Sequence, residues 1–140
     1  METKDIKPST IMLIAGGAVM LLSTFLDWVS EGPFGANAWD TDLFGLHGIF
    51  VAIIGLSIGG GVAAMQFGNV SMPDKILGFD HDQLHLALGL SAFLIAFGVQ
   101  FREGAAIGVL LAWVSAAVIM AAAIMDMRAT GADTAPPTEF

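Results

Sequence analysis

Four stretches of this chain, residues 10–26, 43–73, 83–101 and 104–125, contain no Lys, Arg, Asp or Glu. Crossing the hydrocarbon core of a bilayer takes roughly 20 apolar residues, and each run reaches or approaches that length. A water-facing domain usually carries about 25% charged residues. Here 13% of 140 residues are charged and 56% are hydrophobic, with a mean hydropathy of +0.78. The pattern predicts an all-α integral membrane protein, a four-transmembrane-helix up-down bundle. Helices follow because backbone groups in lipid need partners within their own segment.

The spans are placed at about 10–28, 46–66, 83–101 and 104–126, within one membrane domain over 1–128. The first run is short, which sets Asp27 and Trp28 at its interface. The second is too long for one helix and is cut where Gly68, Asn69, Ser71 and Pro73 read as a turn. Arg102-Glu103 leaves room only for a tight hairpin before the last span. Lys4 and Lys7 give the first span the basic start of a secretory signal. No small-residue cleavage motif precedes Asp27-Trp28, so it is read as a retained helix. Residues 129–140, small, polar and Pro-containing, read as an unstructured tail.

Orientation follows the basic residues. Lys4, Lys7, Lys75 and Arg128 share one side if both termini are cytoplasmic, and of the five bases only Arg102 falls opposite, beside Glu103. The outer loop then carries Asp27, Glu31, Asp40 and Asp42 and no base. Its aromatics Trp28, Phe34, Trp39 and Phe44 suit the headgroup level. The expected location is a bacterial inner (plasma) membrane.

Composition excludes several functions. Cysteine is absent, which removes disulfides, thiol chemistry and cysteine-ligated metals. A net charge of −8 with five bases argues against nucleic acid. An ionisable group inside a span marks function by default, and none of the four span interiors holds Asp, Glu, Lys or Arg. Proton-coupled carriers and ion exchangers generally need such a group.

His81 and His85 stand four apart, on one helical face, with Asp82 between them. Paired imidazoles and a carboxylate can ligate zinc or copper. The plainer reading is a polar helix start, capped by Asp80 or Asp82, with the histidines at interfacial water. No metal and no other cofactor is expected, with His81, Asp82 and His85 the candidate metal set and a bound lipid or quinone the remaining ligand. Three histidines cannot supply the four axial ligands of a di-haem bundle. Met12, Met20, Met65, Met120, Met125 and Met127 read as gap-filling residues, without the Met-x-x-Met clustering beside His that copper handling would suggest.

Small residues carry the strongest positive signal. Gly104, Gly108, Ala112 and Ala116 recur every fourth position, and Gly55 and Gly59 share that spacing before Gly60 and Gly61. Such stripes let helix backbones approach closely, so these eight are the expected helix-packing interface. Trp113 falls near mid-span and reads as a packed residue. The outer loop, through Trp28, Phe34, Trp39, Asp40 and Asp42, is expected to be a contact surface for a basic patch on a partner.

The expected function is that of a small non-catalytic subunit or accessory/assembly factor of a larger membrane complex, respiratory or of another membrane enzyme. Its partners would be other membrane subunits and lipid. The alternative is a self-associating small transporter or channel, a homo-oligomer lined by Ser57, Ser91, Ser115 and Gln100. A metal- or haem-linked redox subunit using His81 and His85 is third.

Overall fold

The computed structural model describes residues 5–134. Pro8 opens α1 (Pro8–Ser23), a position where its missing N–H costs nothing. The helix is 16 residues long, about 24 Å at 1.5 Å per residue, and stops well before the expected Trp28. Hydroxyls close it. Ser23 Oγ donates to the Met20 carbonyl and Thr24 Oγ1 to that of Leu21, both at 2.6 Å, so the last-turn acceptors are taken locally.

The chain then turns into strand β1 (Asp27–Glu31), antiparallel to β2 (Phe34–Asn37). Gly32 has φ +57 and Pro33 is fixed at about −65°, the positive-then-negative sequence of a type II′ hairpin turn. Asp40 starts the single-turn helix α2 (Thr41–Phe44), its Oδ1 accepting from the N–H groups of Asp42 and Leu43 at 3.1 and 3.2 Å. The loop between the first two apolar helices is therefore a hairpin and a capped turn.

Helix α3 (His47–Phe67) matches the second expected span to within a residue at each end. Two short strands, β3 (Lys75–Ile76) and β4 (Phe79–Asp80), form a second hairpin. It leads into α4 (His81–Gln100), where Gln83 Oε1 accepts from the Asp80 N–H at 3.2 Å. After a turn at 101–106 the last helix, α5 (Ile107–Thr134), runs past Arg128. The unstructured tail expected from residue 129 is thus helical to Thr134; 135–140 lie outside the described residues.

Three helices, α3, α4 and α5, are long and apolar enough to cross a membrane, and α1 is a shorter apolar helix. α1 lies between α3 and α5, α5 also packs on α4, and α3 meets α4 over a much smaller surface. The core runs through Met20, Ile54, Ile58, Val109 and Ile119, closed at one end by Trp28.

Candidate functional site

Glycine sets the α1–α3 contact. A Cβ on Gly17 would collide with the backbone of Gly59, and one on Gly55 would meet Gly17 O and Leu21 N at 2.9 Å. Gly55 and Gly59 therefore lie against α1, and Gly17 is the partner that the spacing rule missed. The Gly16-Gly17 pair in the first span was the available signal. Gly16 faces α5, 3.0 Å from Ile119 Cγ1 for an added Cβ. Gly60 and Gly61 differ: a Cβ there would meet only Leu56 Cδ1 and Met72 Cε, each at 3.7 Å, so they pack against no other helix.

On α5, Gly108, Ala112 and Ala116 face inward, and both alanines are fully buried. Gly104 is not part of that stripe. It sits in the turn before the helix with φ +76, because the chain there runs beside β1. Ser30 N–H donates to Gly104 O at 2.8 Å and Ala106 N–H to Trp28 O at 2.9 Å. The first hairpin is stitched to the α4–α5 turn through these bonds.

That stitching decides the fate of the loop aromatics. Trp28 is fully buried, its Nε1–H donating to Ser23 O at 3.0 Å and its ring meeting Phe44 edge-on at 5.6 Å. It closes the core rather than contacting headgroups, which corrects its expected role. Phe34 is 79% exposed. Trp39 stacks on Phe25 at 5.5 Å and donates to Thr24 Oγ1 at 3.2 Å. Beside them a cavity of about 420 Å³ is lined by Glu31, Phe34, Asp40, Leu43, Arg102 and Glu103, among others. Asp40 lines it while capping α2; Asp42 lies outside that lining.

The opposite end gathers the start of α1, the end of α3, the start of α4 and the end of α5. Ser9 Oγ donates to Asp126 Oδ1 at 2.5 Å. His81 and His85 have ring centroids 6.4 Å apart. His81 Nε2 is 2.8 Å from the Pro73 carbonyl oxygen. His85 is buried, and its Nδ1 has no hydrogen-bond partner among the described residues. Both imidazoles line a cavity of about 370 Å³ between α3 and α4, together with Ser57, Met65 and Met72; Asp82 does not. Sequence reasoning read Met65 as gap-filling, for want of a Met-x-x-Met cluster beside His, and did not weigh Met72; the fold brings both to the histidines. Among the described residues no group of three or more His, Asp or Glu could hold a metal ion. His47 lies at the other end, its Nδ1 3.0 Å from Phe44 O.

Trp113 packs between Phe93 and Phe97, with centroids at 5.5 and 6.3 Å. Its Nε1 has no hydrogen-bond partner among the described residues.

Comparison with protein-family models, curated proteins and solved structures finds no match.

Proposed function

We propose that this chain is a four-span up-down bundle with both termini cytoplasmic, acting as a non-catalytic subunit or assembly factor of a larger membrane complex. The observation that carries this reading is the outward face of α4. Leu90, Leu94, Phe97 and Phe101 are all exposed and follow the 4-3-4 spacing of a helix-packing seam. α4 buries 17% of its apolar window inside the protein, against 44% for α3 and for α5. A helix held on one side by α5 and presenting such a seam on another is suited to dock against a second membrane protein.

The small-residue stripes no longer support a partner, since Gly17, Gly55, Gly59, Gly108, Ala112 and Ala116 serve the bundle's own contacts. Self-association into a pore is not favoured either. Ser115 is buried and donates to Ala112 O at 2.9 Å, and Ser91 donates to Ala87 O at 2.8 Å. Orientation is supported by the company of Lys75 with the start of α1 and the end of α5. The acidic residues of the first hairpin and α2 would then face a basic patch on the partner from outside.

Gentle extraction from the native membrane, with sizing and identification of co-purifying chains, tests the function. A stoichiometric partner lost on substituting Leu94 and Phe97 with Ala is expected; a particle containing one bundle alone overturns it. A reporter fused after Phe140 that is accessible only from outside overturns the orientation.

A further inference from the structure

Four side chains from two helices and the segment joining them line the cavity between α3 and α4: Met65 from the last turns of α3, Met72 from the following loop, and His81 and His85 from the first turns of α4. The other walls are largely aliphatic, and Gly61 leaves space that the Met72 methyl approaches. We propose that this cavity is a copper(I) site with two imidazole and two thioether donors.

The histidine chemistry fits a metal. A carbonyl oxygen can only accept, so the 2.8 Å contact with Pro73 puts the His81 proton on Nε2 and leaves Nδ1 as a lone-pair donor. Metal-binding histidines are commonly fixed this way, by a backbone carbonyl on the other ring nitrogen. His85 is 9% exposed and its Nδ1 lacks a partner among the described residues, which leaves one ring nitrogen of a buried imidazole unmatched. The ring centroids are 6.4 Å apart. Two imidazoles bonded at a tetrahedral angle to one ion, with bonds of about 2.0–2.1 Å, have centroids roughly 5 Å apart, so the two rings would have to close by about 1 Å around the ion.

The donor set selects the ion. Thioethers are soft, neutral ligands that suit copper(I), whereas calcium and magnesium want carboxylates and carbonyls. Zinc sites are built from imidazole with thiolate or carboxylate; the chain has no cysteine, and no carboxylate lines the cavity. Four neutral donors in an apolar wall also favour a monovalent ion, since desolvation penalises a buried divalent charge more heavily. The site stands independently of the accessory-subunit reading.

The test uses the full chain in detergent under anaerobic, reducing conditions, titrated with copper(I) against a competing chelator such as bicinchoninate. One copper per chain is expected to resist the chelator. His85→Leu, and Met65→Leu with Met72→Leu, should each weaken retention tenfold or more. X-ray absorption of the unaltered copper-loaded protein should show nitrogen and sulfur neighbours together, a readout independent of whether any variant folds. Loss of all copper to the chelator, a shell without sulfur, or unchanged affinity in the folded methionine double variant overturns the proposal. So does tight retention of zinc(II) by a protein that releases copper(I).

Discussion

The indole edge of Trp28 lies directly over Gly108: a Cβ on that glycine would sit 2.8 Å from Trp28 Cδ1, and still closer, 2.6 Å, to Asp27 O. The first turn of α5 therefore fits under the first hairpin only without a side chain. Gly108→Ala should lower thermal stability, and Gly108→Leu should lower it more, by about 1–3 kcal/mol as overpacking does elsewhere. The control is Gly98→Ala, because nothing lies within 4 Å of a Cβ there; it should leave the melting temperature unchanged or raised. Melting followed by circular dichroism in detergent checks both. Equal behaviour of Gly98→Ala and Gly108→Ala would refute the fit.

The α1–α3 contact predicts an order of severity. Gly17→Ala meets backbone atoms of Gly59 and Gly55 that cannot give way, whereas a Cβ on Gly59 would stand 3.1 Å from Ala18 N, and one on Gly60 meets no other helix. The loss of melting temperature should fall in the order Gly17, Gly59, Gly60, with the last near zero. A Gly60→Ala variant as damaged as Gly17→Ala would show that Gly60 faces a contact outside this chain.

Ser9 and Asp126 join the start of α1 to the end of α5 through one short hydrogen bond. Ser9 is buried, and hydrogen bonds to charged groups contribute about 1.5–3 kcal/mol. Ser9→Ala should therefore destabilise the protein by about that amount. Differential scanning calorimetry would detect it, and an unchanged transition would mean that water replaces the hydroxyl.

Leu77 holds φ +54 next to Gly78 at φ +85, in the turn between β3 and β4. Two positive φ values are the signature of a type I′ turn, which favours Asn-Gly; a leucine there is strained by about 1–2 kcal/mol. Its side chain is 89% exposed. Leu77→Asn should slow protease cleavage within residues 68–80 without lowering the melting temperature. Faster cleavage would identify the leucine side chain itself as the anchor of this hairpin.

The apolar helices were legible in the sequence because turn residues or charge mark their ends: Gly68, Asn69, Ser71 and Pro73 cut the second run, Asp80 and Asp82 flank the start of the third, and Arg102-Glu103 marks the turn before α5. The first span was overextended because Thr24, Phe25 and Leu26 are as apolar as the helix before them, while the hydroxyls that end the helix act through geometry. The first hairpin was hidden in Glu31-Gly-Pro-Phe, where Gly32-Pro33 fits a type II′ turn but also reads as irregular loop. Trp28 carried an interfacial preference that its buried hydrogen bond to Ser23 overrides. The His–Met cavity could not be read from spacing, since Met65 and His85 are neighbours only through the fold of residues 68–80.

The stitch between β1 and the 102–106 turn has a mechanical consequence. It ties the connection leaving α1 to the connection entering α5 by main-chain bonds, in which no side chain takes part. That end of the molecule acts as a clasp. At the other end α1 and α5 share the Ser9–Asp126 side-chain bond, and α3 meets α4 over a much smaller surface than α5 does. The two ends are thus fastened unequally, like a book held at its spine: by main chain at one end and by side chains at the other.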